Sequence, residues 1–125
     1  MSTRSGDIDP ARHVAGLMAA TAFLSMWISN TAAAMMMLPV GQAMAAAVRN
    51  GAADATERER SDAGAMIMLA IAYSATIGGL ATLVGTPPNA LFAAYMQSAH
   101  GISIGFAEWL LVGLPASLTL LVVSW

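Results

Sequence analysis

The stretch WISNTAAAMMMLPV, residues 27–40, sets three hydrogen-bonding side chains, Ser29, Asn30 and Thr31, inside an apolar run. No formal charge occurs from Val14 to Val48, a run of 35 positions, whereas one transmembrane helix needs about 20. A single straight helix is too short an answer. Two helices of roughly 17 residues each fit if the chain turns back at its centre, which falls on Ser29-Asn30-Thr31. Both ends of the run are flanked by arginine, Arg4 and Arg12 before it and Arg49, Arg58 and Arg60 after it. Positive residues mark the cytoplasmic side, so both ends belong there. A hairpin that enters and leaves on one face is re-entrant, with its tip roughly 25 Å into the bilayer.

Composition agrees. The chain is 58% hydrophobic and 10% charged, against about 25% charged for a soluble domain, which is a membrane composition. Cysteine is absent, excluding disulfides and thiolate metal sites, and His13 and His100 are too far apart in sequence to suggest a shared site. The net charge of -2 and unclustered arginines argue against a nucleic-acid partner. Asp and Glu stand only at the edges of the apolar runs, so no paired acid and base points to an enzyme. The apolar run after the polar N-terminus is too long for the core of a signal peptide, and no cleavable signal is expected.

A second uncharged run, Ala63 to Ala107, is interrupted at Gly78-Gly79 and again at Gly85-Thr86-Pro87-Pro88-Asn89. Two prolines remove two backbone donors and clash with the preceding turn. A helix from Ala65 must therefore stop near Leu83, and a shorter one restarts near Asn89 and runs to about Ala99. The expected fold is all-α and integral to the membrane. It comprises a polar cytoplasmic segment over 1–13, a re-entrant helical hairpin over 14–48 with its tip at 29–31, and a charged cytoplasmic loop over 49–62. A discontinuous transmembrane helix follows over 63–99, broken at 85–89, and then the start of a further transmembrane helix over 106–125. Trp109 and Trp125 are spaced about 24 Å along that last helix, suiting the two aromatic belts of a bilayer. Trp27 is too deep for a belt and is expected to pack on a neighbouring helix. Met35, Met36 and Met37 read as flexible packing or lipid contact, and Pro39 as a kink.

Unpaired backbone polar groups cost several kcal/mol each in hydrocarbon, so irregular chain at this depth survives only buried in protein or lining a wet cavity. The tip and the Gly85 to Asn89 break are expected at similar depth, facing each other. Each joins a helix C-terminus rich in carbonyls to a helix N-terminus rich in N–H groups; the first suits cations and the second anions. Gly85 permits close backbone approach, and Asn89 can cap the helix that follows. Ser25 stands four residues before Ser29, placing both hydroxyls on one face of the first half-helix. Such hard oxygen donors suit a small alkali cation. Discontinuous helices of this kind bind substrate anions and coupling ions near the midplane of transporters.

SMWISNTAAAMMMLPV followed, after a charged loop and a span, by GGLATLVGTPPNALF resembles the divalent-anion/sodium symporter family of sodium-coupled di- and tricarboxylate transporters, over about residues 13–125. The resemblance implies a homodimer of protomers with two inverted repeats, each with a re-entrant hairpin and a broken helix, moving substrate by an elevator-type motion. It implies a Na+ site at Ser25, Ser29, Asn30 and the Gly85 backbone. It also implies a substrate carboxylate at Ser29, Asn30 and Thr31, with Thr86 and Pro87 close by. Family members are several times longer and carry a second Ser-Asn-Thr tip and a second break, so this sequence is expected to be a first-repeat fragment of a multi-pass protein of the cell (inner) membrane. Dicarboxylate exchange, or transport of sulfate or a tricarboxylate, is the neighbouring reading. From another class, a small non-transporting integral-membrane interaction protein would use Ser-Asn-Thr only to glue helices together.

Overall fold

The computed structural model describes residues 9–125. Residues 1–8, with Arg4 and most of the polar segment over 1–13, lie outside the described residues. Five helices follow in order: α1 Pro10–Ser25, α2 Asn30–Gly51, α3 Glu57–Leu80, α4 Pro87–His100 and α5 Phe106–Ser124, with no strand among the described residues.

Local chemistry sets their ends. Asp9 caps α1, its carboxylate accepting from the Ala11 N–H at 3.1 Å, with Pro10 in the first turn where its missing donor costs nothing. Thr56 and Glu59 form a reciprocal capping box at the start of α3. This turns the second half of the hydrophilic stretch into helix, so the loop expected over 49–62 shrinks to the few residues between Gly51 and Glu57. Arg60 closes that turn by donating to the Ala52 and Ala53 carbonyls at 2.9 and 3.2 Å. Gly101, at φ 67°, ends α4 in the left-handed conformation that glycine adopts without penalty.

At 1.5 Å per residue, α2, α3 and α5 reach about 33, 36 and 28 Å, enough by length and composition to cross a hydrocarbon core of about 30 Å. α1 and α4 reach only about 24 and 21 Å. α2 is thus longer than half of the expected hairpin, continuing through Pro39 to Gly51.

α3 is the central element, touching α1, α2 and α5. Its buried residues Ile67, Ile71, Ser74, Ala75, Gly78 and Gly79 recur every three or four positions, and so do Leu17, Met18, Thr21, Ala22 and Ser25 on α1. Leu17, Ile67 and Ile71 form the apolar centre, with Met37, Met44 and Val48 of α2 packed against it. Most large apolar side chains instead face outward, among them Met35, Met36, Leu111 and Val123, as they can in lipid. Lipid tails leave no hydrophobic drive between helices, so association rests on close packing of small residues and interhelical hydrogen bonds. The buried set fits that physics, with Ala22, Ala33, Ala75 and Ala81 beside Thr21, Ser25, Ser74 and Thr82.

Gly41 tests how strict this packing is on the α2 side. A methyl there would meet Cδ1 of Ile71 at 2.5 Å, the far end of a flexible side chain. Mild overpacking is offset by the gain of about 0.5–1 kcal/mol when alanine replaces a mid-helix glycine. Gly41→Ala in the full-length protein is therefore expected to leave thermal stability in detergent within about 1 kcal/mol of wild type. A much larger loss would show that this face cannot repack.

Among the described residues, Trp27 takes its aromatic contact from Phe23 of the helix it follows. It is 57% exposed and stacks edge-on with Phe23, ring centroids 6.5 Å apart, because the chain is already turning where it stands.

Candidate ion and substrate site at the hairpin tip and the helix break

The first helix ends earlier than the sequence suggests. α1 stops at Ser25, and the turn occupies residues 26–29, closed by the Met26 N–H on the Ala22 and Phe23 carbonyls and by the Trp27 and Ile28 N–H groups on the Leu24 carbonyl. Ser29 is the cap of α2, its hydroxyl accepting from the Ala32 N–H at 3.2 Å, and Asn30 and Thr31 open that helix. Ser25 and Ser29 consequently do not share a face of one helix. Ser25 instead pairs with Asn30, donating toward Oδ1 at 2.7 Å.

The break also lies earlier than 85–89. α3 ends at Leu80, residues 81–86 are irregular, and α4 restarts at Pro87. Gly78 and Gly79 are not the interruption; they lie inside α3. Proline starts a helix as readily as it stops one, because its fixed φ suits the first turn. Thr86 before it takes the extended conformation that a following proline requires, φ -139° and ψ 147°.

The two irregular points meet. Ser25, fully buried, also reaches the Ala75 carbonyl of α3 at 2.5 Å. The Thr82 hydroxyl donates to the Met26 carbonyl at 2.6 Å, tying the break to the hairpin turn. Gly79 is packed so tightly that a Cβ there would collide with Asn30 Oδ1 and come within 2.6 Å of Thr86 Cγ2. Gly85 backs onto Gly79 in turn, where a Cβ would collide with the Gly79 carbonyl oxygen. Its glycine requirement is one of space, since Gly101 holds the positive φ among the described residues.

Of the residues named from sequence, Ser25, Asn30, Gly85 and Thr86 are brought together around Gly79 and Ala75, while Ser29, Thr31 and Pro87 stand beside them only as chain neighbours. Ser25 and Gly85 are buried, Asn30 and Thr86 half-buried, and Ser29, Thr31 and Pro87 exposed. The Thr86 side chain makes no capping bond, which leaves its hydroxyl available. Ser25 Oγ carries one proton but stands within hydrogen-bond reach of two acceptors, Asn30 Oδ1 and the Ala75 carbonyl. The cluster gathers neutral oxygens from a hydroxyl, a carboxamide and a backbone carbonyl.

Three participants escaped the sequence reading. Thr82 gave no signal, being one polar residue among many. Trp109 has the spacing of an interface belt, yet its Nε1 donates to the Leu80 carbonyl at 3.1 Å. Asn89 was expected to cap the helix after it. Instead its amide donates backwards, to the Gly79 and Thr82 carbonyls at 2.9 and 2.8 Å, because helix C-termini need donors and a side-chain NH2 supplies two.

Comparison with known proteins gives this geometry a setting. Residues 4–125 match the family model described as citrate transporter. The chain is 44% identical over 117 residues to a sodium-dependent dicarboxylate transporter, SdcS, of Staphylococcus saprophyticus, covering 91% of this chain and 22% of that protein. It is 41% identical over 113 residues to SdcS of Staphylococcus aureus strain USA300, covering 88% of this chain and 21% of that protein. The chain thus spans about a fifth of the length of the curated relatives it matches. The resemblance carried by the two motifs is borne out, and with three helices long and apolar enough to cross a bilayer the setting is a multi-pass membrane protein. The chain belongs to the citrate transporter family, a family of transporters and not of enzymes.

Proposed function

We propose that this chain supplies half of the ion and substrate site of a sodium-coupled secondary transporter for C4 dicarboxylates such as succinate, malate and fumarate. The observation that carries the proposal is the oxygen cluster of Ser25, Asn30 and the α3 backbone, gathered at the meeting of a helix turn and a helix break. A small alkali cation suits such a cluster without asking for imidazole or thiolate. In this reading Na+ takes Ser25, Ser29, Asn30 and the Gly85 carbonyl. One substrate carboxylate takes Ser29, Asn30 and Thr31 at the positive end of α2, beside Thr86 and Pro87. The names of the staphylococcal relatives support sodium and dicarboxylate.

The hairpin of α1 and α2 is re-entrant in this reading, entering from the cytoplasmic face of the cell (inner) membrane. Arg12, Arg49, Arg58 and Arg60 at the open end of the helices support that orientation. Gly79 stands about 25 Å along α3 from Asp62, the last charge before the span, which suits a site deep in the bilayer. The complete transporter is a homodimer, and the hairpin-bearing unit moves against its scaffold as an elevator. A tricarboxylate substrate is the second reading, favoured by the family's own description as a citrate transporter. A small helix-gluing interaction protein is disfavoured by the same family match.

The test is uptake of labelled succinate by the full-length protein. Ser29→Ala and Asn30→Ala are each expected to raise the sodium concentration needed for half-maximal uptake by about tenfold, the equivalent of one lost interaction of 1.4 kcal/mol. Wild-type uptake with unchanged sodium dependence in both variants would remove the site assignment. Competition by citrate and sulfate, with and without sodium, separates the substrate readings.

A further inference from the structure

We infer that Asn89 is a positioning residue for the cation site, setting sodium affinity through the backbone of Gly79 and Gly85 without touching the ion. The inference rests on the reading of the site given above.

Four of the last carbonyls of α3 are taken by groups from outside the helix or from a tightened turn. Ser117 of α5 donates to the Ile77 carbonyl, the Ala81 N–H to Gly78, Trp109 of α5 to Leu80, and Asn89 to Gly79. Asn89 differs from the others in where its bond falls. Gly79 carries the Asn30 carboxamide and the Thr86 methyl against its Cα, and its carbonyl oxygen abuts Gly85. The peptide that Asn89 holds is therefore the one on which three of the proposed ligand-bearing residues rest. Its second bond, to Thr82, fixes the other side of the break, where Thr82 grips the Met26 carbonyl of the hairpin turn.

The side-chain type fits the task. Asn89 is 5% exposed and is the buried residue of α4. A neutral amide offers two donors from one nitrogen, matching two converging carbonyls, and adds no charge beside a cation site. Aspartate has the same shape but, ionised, donates nothing and faces two carbonyl dipoles. Serine keeps a single, shorter donor.

The experiment uses the full-length protein in liposomes with labelled succinate. It measures the sodium concentration for half-maximal uptake, the KM for succinate at saturating sodium, and the fraction of protein that is folded and monodisperse. Asn89→Asp is expected to raise the sodium requirement about tenfold and Asn89→Ser about threefold, with a smaller rise in the succinate KM because Asn30 and Thr86 also serve the carboxylate. A merely structural role would lower the folded fraction and leave the sodium requirement of the folded fraction unchanged, which overturns the inference. A lowered sodium requirement in Asn89→Asp overturns it too, because the carboxylate would then be facing the ion directly. If Asn89→Asp does not fold, Asn89→Ser decides by the same criteria. Wild-type uptake that needs no sodium would defeat the functional reading and this inference with it. Sodium-dependent wild type with unaltered variants removes this inference alone.

Discussion

Gly79→Ala is expected to cut succinate uptake by the full-length protein at limiting sodium by about tenfold or more, because it displaces the same Asn30 carboxamide whose removal costs about 1.4 kcal/mol and disturbs Thr86 as well. A Cβ at this position lies 2.6 Å from Thr86 Cγ2 and closer still to Asn30 Oδ1, where ordinary contacts begin at 3.4 Å. Either the Asn30 carboxamide or the Thr86 methyl must therefore withdraw. Both belong to the proposed site, and Asn30 is also the partner of Ser25 at 2.7 Å, so its withdrawal opens the oxygen cluster itself. The helix effect has the opposite sign, since alanine is the better helix former by about 1 kcal/mol. Protein in the membrane should accordingly stay near the wild-type level while transport falls. Uptake and surface level measured on the same cells check both halves. Retained uptake with normal sodium dependence would mean that the placement of Asn30 and Thr86 against Gly79 does not matter to transport.

The elements that sequence made visible are those for which lipid leaves few solutions. Ser29-Asn30-Thr31 within 35 uncharged positions, and Pro87-Pro88 within the second run, announce backbone that hydrocarbon cannot solvate. Their convergence followed from the same need, and the structure places Asn30 against Gly79 and Thr86. What sequence hid were the contacts that end on a carbonyl. Ser25 to Ala75 and Thr82 to Met26 join residues 50 and 56 positions apart, and every residue has a carbonyl, so nothing in the acceptor's identity marks it. Direction was hidden for the same reason. Asn89 caps a helix whether it faces forward or back, and the Gly79 and Thr82 carbonyls behind it decided the matter. The shared face expected for Ser25 and Ser29 failed because a serine before Asn-Thr is a good helix cap, and a cap at Ser29 requires the preceding helix to have ended. Gly78-Gly79 read as an interruption because glycine is a poor helix former, yet in a membrane glycine also marks where another backbone comes close.

That second role makes Gly78→Ala the substitution expected to damage the fold most. Its Cβ would lie 2.6 Å from the Ala22 Cα and 2.7 Å from the Ala22 carbonyl carbon, with the Ala22 oxygen nearer still. Unlike Ile71 opposite Gly41, backbone cannot rotate out of the way, so α1 and α3 must part by about an ångström, and overpacking of this kind costs about 1–3 kcal/mol. Ser25 to Ala75 and Thr82 to Met26 cross the same interface at 2.5 and 2.6 Å, and a separation of that size stretches both past good hydrogen-bond geometry. Their buried partners are then left unpaired, adding about 1–3 kcal/mol. The full-length protein carrying Gly78→Ala should accumulate poorly and melt well below the Gly41→Ala variant in the same detergent. Because the obstacle is the backbone of Ala22 and not its methyl group, adding Ala22→Gly should not restore stability. Recovery in that double variant would show that the helices meet through side chains, and that the close backbone approach holding the tip against the break is not what this glycine provides.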